Sequence, residues 1–212
     1  RFRKSRMTPE AVLTAGLAEM NIEVTPTAKQ QLLAYLALLQ KWNKVYNLTA
    51  VRDPVDMVTL HLLDSLSVLP YIKTGKMLDV GSGGGLPGIV MAIMKPDLQV
   101  TTIDTVQKKA IFMRQVKGEL GLTNLEVVHA RVERYQPAEK FDVIISRAFS
   151  EIGLLIKLTQ HLLAPHGQWL AMKGVVPHHE FEGLNIQPKE IIPLKVAGLQ
   201  AERHLVVIES NA

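Results

Sequence analysis

The residues of this chain best suited to chemistry lie in Leu78-Asp79-Val80-Gly81-Ser82-Gly83-Gly84-Gly85-Leu86-Pro87-Gly88, together with Asp104, 25 residues after Asp79. Glycines at that density let a backbone approach a ligand closely, because no side chain holds it off. Two features separate the loop from a dinucleotide-binding fingerprint: the third glycine position is Leu86, and a charged Asp79 precedes the first glycine. A carboxylate there suits a cation better than a pyrophosphate. Asp104 is spaced to end the following strand, where an acidic side chain accepts both hydroxyls of an adenosine ribose. The ligand expected of Asp79, Gly81, Ser82, Gly83, Gly85 and Asp104 is therefore a cationic adenosine. The competing readings are a glycine turn that binds nothing and a NAD site, against which the missing third glycine counts.

Such a loop works only if a strand delivers it and a helix follows it, and the pattern from Lys76 onward supplies both. Short apolar runs at Met77–Val80, Gln99–Ile103, Leu125–His129, Val143–Ser146 and Trp169–Met172 alternate with helical segments, the signature of βαβ units and a parallel sheet. Ile191–Val196 and His204–Ile208 follow with a connection too short for a helical crossover, so an antiparallel pairing is expected near the C-terminus. The fold class is α/β, a mostly parallel seven-stranded sheet. Before it, Thr8-Pro9, Thr25-Pro26 and Asp53-Pro54 each place a capping residue ahead of a proline at the first helical position. Leu32, Leu33, Leu36, Leu39 and Trp42 recur at helical spacing, as do Met57, Leu60, Leu63 and Leu66. The expected division is a leader at 1–6, a helical extension at 7–72 and a ligand-binding domain at 73–212.

Composition narrows the function further. At 212 residues, 47% hydrophobic, the chain can bury a real core, and no apolar stretch approaches the roughly 18 residues a membrane span needs. A cytoplasmic location is expected. With no cysteine, disulfides, thiolate metal sites and a cysteine nucleophile are excluded. The formal net charge of +4 rests entirely on Arg1, Arg3, Lys4 and Arg6, leaving 20 Lys+Arg against 20 Asp+Glu in residues 7–212. Global charge therefore says little about a polyanionic partner, and evidence for one must be local. The histidines show no ligand spacing, and no metal is expected.

Asp79 to Gly85 with Asp104 resembles the S-adenosylmethionine site of class I methyltransferases, whose fold is Rossmann-like. A closer resemblance covers nearly the whole chain after Met7. Lys41-Trp42-Asn43-Lys44-Val45-Tyr46-Asn47-Leu48-Thr49, His61-Leu62-Leu63-Asp64-Ser65, Leu86-Pro87-Gly88, Ser146-Arg147-Ala148, Lys173-Gly174 and Glu202-Arg203-His204 are similar to segments of the RsmG (GidB) family. The resemblance implies methyl transfer from S-adenosylmethionine to N7 of a guanine in the 530 loop of 16S rRNA, within the small ribosomal subunit or on free RNA. It implies that Gly81 and Leu86 touch the methionine part and that Asp104 holds the ribose. Val132 and Glu133 would border the adenine, and Arg147 would face both cofactor and base.

The chemistry agrees with that implication. Methyl transfer is an in-line displacement, so a protein must chiefly hold the two reactants in near-attack geometry. Guanine N7 carries a free lone pair and needs no general base. The place after the fourth strand, where exocyclic-amine methyltransferases carry an (N/D/S)-PP-(Y/F) box, reads Ser146-Arg147-Ala148-Phe149. Arg147 is assigned to guanine O6, a phosphate or the cofactor carboxylate, against a surface ion pair with Glu151. Arg131, Lys173 and Arg203 are the foremost RNA candidates, with Arg52, Lys108, Lys109 and Arg114 behind them. His61 and Asp64, one helical turn apart, are expected to join the helical region to the core by a hydrogen bond. An oxidoreductase using NAD and a cofactor-binding RNA module without turnover remain as alternatives. The sequence is silent on oligomeric state.

Overall fold

Strand β1 (Lys76–Val80) is buried from Met77 onward, which only a central strand covered on both faces permits. It pairs in parallel with β2 (Gln99–Asp104) and β4 (Phe141–Ser146); β3 (Leu125–His129) extends one side and β5 (Leu163–Lys173) the other. β7 (His204–Glu209) runs antiparallel between β5 and β6 (Glu190–Pro193), completing the order β3-β2-β1-β4-β5-β7-β6. The computed structural model describes residues 7–147, 149 and 151–210, so the leader at 1–6 and Ala148 lie outside the described residues.

Alternation along the strands divides the core in two. Met77, Leu205 and Val207 belong to one apolar layer, and Leu78, Val206 and Ile208 to the other. The first layer also receives α1 (Pro9–Glu19), α2 (Pro26–Tyr46), α5 (Gly88–Met94) and α6 (Gln107–Leu120), through Leu13, Leu36, Ile89 and Phe112 among others. The second is covered by α7 (Ile152–Thr159). The amino-terminal helices thus share a core with the sheet. Leu32, Tyr35, Leu36 and Leu39 of α2 are all buried, each contributing about 1.5–3 kcal/mol.

The three expected helix openings form as capped prolines. Thr8 Oγ1 accepts from the Ala11 amide, Thr25 Oγ1 from Ala28 and Asp53 Oδ1 from Val55. The third helix is not uniform: α3 (Pro54–Met57) passes into a π turn at Val58–Leu63 before α4 (Asp64–Leu66). Such widened turns accompany functional sites, and this one carries His61. β5 begins six residues before the expected Trp169, because Pro165 and Gly167 do not stop an extended segment that pairs Leu163 with Phe141 across a register shift. β6 ends at Pro193, three residues short of the expected Val196; proline gives the ladder no donor.

Candidate functional site

The turn after β1 has the glycines its path demands. Gly81 and Gly83 have φ of +66° and +59°, and a Cβ on Gly83 would meet nothing within 4 Å, so the loop presents bare backbone to open space. Tyr35 of α2 braces the loop from below, its hydroxyl donating to Gly84 O at 2.6 Å, and its burial pushes the phenol far above its usual range. Asp104, at the end of β2, accepts from the Gly83 amide at 3.0 Å on Oδ2 and from the Val106 amide at 2.8 Å on Oδ1. Each of its oxygens retains lone-pair capacity.

Gly81, Asp104, Val132, Glu133 and Phe149 line one side of the carboxyl edge, around a cavity of about 310 Å³. Val132 forms an apolar wall there, and Glu133 sits at the rim paired with Arg131 at 3.2 Å. Phe149, Lys109 and Val106 also line it; no spacing rule marks Phe149 or Val106, and Lys109 stands in the sequence only as an RNA candidate.

Gly81 is the one of the expected loop residues that lines this cavity; Gly83 and Gly85 lie outside its lining, and three side chains of the loop are turned to other partners. Asp79 is fully buried beneath the turn, where Oδ2 accepts from the Gly88 amide at 2.8 Å, and it lines neither this cavity nor the one below. Burial raises its pKa well above the usual carboxylate range, with the Gly88 N–H and Arg147 pulling the other way. Ser82 Oγ donates to Met113 Sδ at 3.4 Å, and Leu86 packs into the first apolar layer. Both side chains anchor the loop.

A second cavity, of about 320 Å³, opens on the other side of the β4 exit, lined among others by His61, Asp64, Arg147, Lys173 and Arg203. Arg147 does not pair with Glu151. Its Nη1 donates to Leu60 O at 3.0 Å and lies 3.5 Å from Asp64 Oδ2, and Nη1 and Nη2 reach His61 Nδ1 at 3.2 and 3.3 Å. His61 Nδ1 also lies 3.1 Å from Leu60 O, and its Nε2 meets Thr49 Oγ1 at 2.8 Å. Burial and the neighbouring Arg147 charge lower the His61 pKa to about 4, so the imidazole is neutral near pH 7. The expected joint between helical region and core exists, but it is an ion cluster: Asp64 also accepts from Arg203 Nε at 3.1 Å. Lys173 pairs with Glu180 at 3.2 Å on the cavity wall. The role of Asp64 as a carboxylate shared by two arginines had no sequence signal, since its partners lie 83 and 139 residues away.

Arg147 and Phe149 are two residues apart, one on each cavity. Among the described residues no group of three or more His, Cys, Asp or Glu is placed to hold a metal, and no helix is long and apolar enough to cross a membrane.

The sheet order, with a glycine turn after its central strand and an acidic residue ending the next, defines the Rossmann-like fold of class I S-adenosylmethionine-dependent methyltransferases. Solved structures share it: a SAM-dependent methyltransferase from Aquifex aeolicus superposes with a TM-score of 0.57 at 20% identity, over 72% of this chain and 92% of that one. The N-methyltransferase NodS from Bradyrhizobium japonicum gives 0.55 at 14%, over 82% and 100%. Sequence relatives are far closer. The ribosomal RNA small subunit methyltransferase G of Methylobacillus flagellatus is 61% identical over 94% of this chain and 97% of its own length. That of Chromobacterium violaceum is 55% identical over 92% and 95%. The profile of the GidB family, rRNA small subunit methyltransferase G, matches residues 28–206, and the chain belongs to that family. It is a small-subunit rRNA methyltransferase, and the NAD-linked reading gives way.

Proposed function

We propose that the protein transfers the methyl group of S-adenosylmethionine to N7 of a guanine in the 530 loop of 16S rRNA, acting in the cytoplasm on the small ribosomal subunit. The observation that carries the reading is the pair of adjacent cavities at the carboxyl edge, one walled for an adenosine and one cationic, with Arg147 and Phe149 dividing them. The first fits the cofactor in the groups that line it: a carboxylate with spare lone pairs at Asp104, the main chain of Gly81, and apolar walls at Val132 and Phe149. When bound, S-adenosylmethionine supplies an electrophilic methyl carbon.

The chain's own work is then to bind and orient. Asp104 accepts the ribose hydroxyls, Val132 and Glu133 border the adenine, and Gly81 admits the methionine part. Arg147 directs the guanine by O6, leaving N7 open. Nothing in this scheme needs a general base, which accords with a neutral His61 held against a guanidinium and with the absence of cysteine. Arg131, Lys173 and Arg203 are assigned to RNA contacts, with the ion pairs each now makes serving to hold them at the rim. Residues 7–72 act as a helical extension that braces the site, and 73–212 as the catalytic domain.

The test is methylation of small subunits lacking the modification, with the product atom mapped. Methyl incorporation at N7 of one 530-loop guanine is expected. Incorporation at another atom or another region of the rRNA overturns the reading.

A further inference from the structure

The cavity beside β4, β5 and β7 holds donors and acceptors in an order that one nucleobase matches. Going round the edge of guanine from N7 come the O6 acceptor, the N1–H donor and the N2 amino donor. Arg147, which can only donate, stands at the exit of β4, next to the adenosine-sized cavity. Beside it lies Asp64, 3.5 Å from Arg147 Nη1 through Oδ2 and bound to Arg203 Nε through Oδ1 at 3.1 Å. The residue is only 3% exposed, yet it lines the cavity. Two guanidinium groups fix the carboxylate and offset its charge, and each oxygen keeps lone-pair capacity after one such bond. Arg147 is itself pinned by Leu60 O and His61 Nδ1, so the donor and the acceptor are set side by side before a base arrives. A cavity of about 320 Å³ suits one extruded base.

We propose that Asp64 makes this cavity specific for guanine: its carboxylate accepts N1–H and the N2 amino group of the extruded base while Arg147 donates to O6, which turns N7 toward the methyl donor's side. The inference rests on the guanine-N7 reading above. Adenine would set an amino donor against Arg147 and a bare N1 lone pair against Asp64, so both contacts become repulsive and the base is refused. Asp64 is thus a recognition residue, and the arginines that hold its plane are what make its acceptors directional.

Single-turnover transfer to small subunits reconstituted with guanosine or inosine at the target position tests this. Inosine keeps N7, O6 and N1–H and lacks only the amino group. The wild type is expected to lose about tenfold on inosine, the scale of one hydrogen bond to a charged group. Asp64→Asn should be slower on guanosine and lose the preference, because an amide replaces one acceptor with a donor, whereas Asp64→Glu should retain it. If Asp64→Asn turns over below detection, the ratio is read from equilibrium affinities of the S-adenosylhomocysteine-loaded variant for the two particles. A carboxylate that merely held Arg147 and Arg203 in place would lower both rates by one factor and preserve the ratio. That result, or a wild type indifferent to inosine, overturns the proposal. Mapping the wild-type product separates the two readings: a methyl group off N7 defeats the parent reading, while an N7 product with an unchanged ratio defeats only this one.

Discussion

Asp104 and Asp64 are both nearly buried carboxylates at the carboxyl edge of one sheet, but they are held in opposite ways. Asp104 is fixed by the amides of Gly83 and Val106, main-chain groups of the turns beside it. Asp64 is fixed by the side chains of Arg147 and Arg203, which reach it from the β4 exit and the start of β7. Backbone donors cannot be mutated away and have few rotamers to lose, so the Asp104 side is rigid by construction. The cationic side is built from flexible side chains and has the adaptability, and the sensitivity to substitution, that this brings. Mutations should therefore divide: on the Asp104 side they should change cofactor affinity, on the Asp64 side turnover and pH response.

Arg147 should give the largest effect. Arg147→Ala removes a donor and leaves Asp64 with one guanidinium partner, and we expect single-turnover transfer to fall about 100-fold or more, since misplacement of a bound base on the order of 1 Å costs that much. Arg147→Lys keeps the charge but not the planar fork and should fall between alanine and wild type. Calorimetry with S-adenosylhomocysteine should show little change in either. Near-wild-type transfer by the alanine variant would erase the proposed division.

His61 comes next, through pH. Its folded pKa of about 4 lies below the unfolded value near 6.5, so the unfolded chain binds more protons in between. The stability contributed by neutral His61 is present above pH 6.5 and is lost as pH falls toward 4, with a limiting slope of about 1.4 kcal/mol per pH unit. Asp79, whose pKa is raised, acts in the opposite sense. The informative comparison is therefore denaturant unfolding of wild type against His61→Gln across pH 4–7, where the variant should show the shallower acid loss. Parallel curves would mean that His61 takes up its proton at the same pH in the folded chain as in the unfolded one.

Asp104→Ala should weaken S-adenosylhomocysteine binding about tenfold or more, the scale of charged hydrogen bonds to two hydroxyls. Unchanged affinity in a folded variant would move the adenosine elsewhere. The smallest effect belongs to Arg131→Ala. The side chain is 63% exposed and its pair with Glu133 is at the surface, so stability should change by less than about 0.5 kcal/mol. What should change is the salt dependence of RNA binding, whose slope should become shallower by about one counterion. An unaltered slope would remove Arg131 from the RNA face.

How the two sides are held also explains what could be read in advance. Proline caps, β1 through β4 and the glycine turn follow from neighbours within a few residues, through fixed φ at proline, free φ at glycine and alternation along strands. Asp104 belongs to the same class, because its position at a strand end sets its backbone partners. The start of β5 and the end of β6 differ from what the local sequence implies because Pro165, Gly167 and Pro193 act through the partner strand as much as through the local chain.

The sequence by itself determined the α/β class, the glycine loop and the family, since each is written in local spacing or in similarity over nearly the whole chain. Only the tertiary structure decided that Asp79, Ser82 and Leu86 serve the loop from beneath, and that Arg147 faces the π turn in place of Glu151. The physical reason is separation along the chain. A side chain carries no signal for which of many distant partners will neutralise it; packing the amino-terminal helices onto the sheet brings Asp64 to Arg147 and Arg203 and makes them one site.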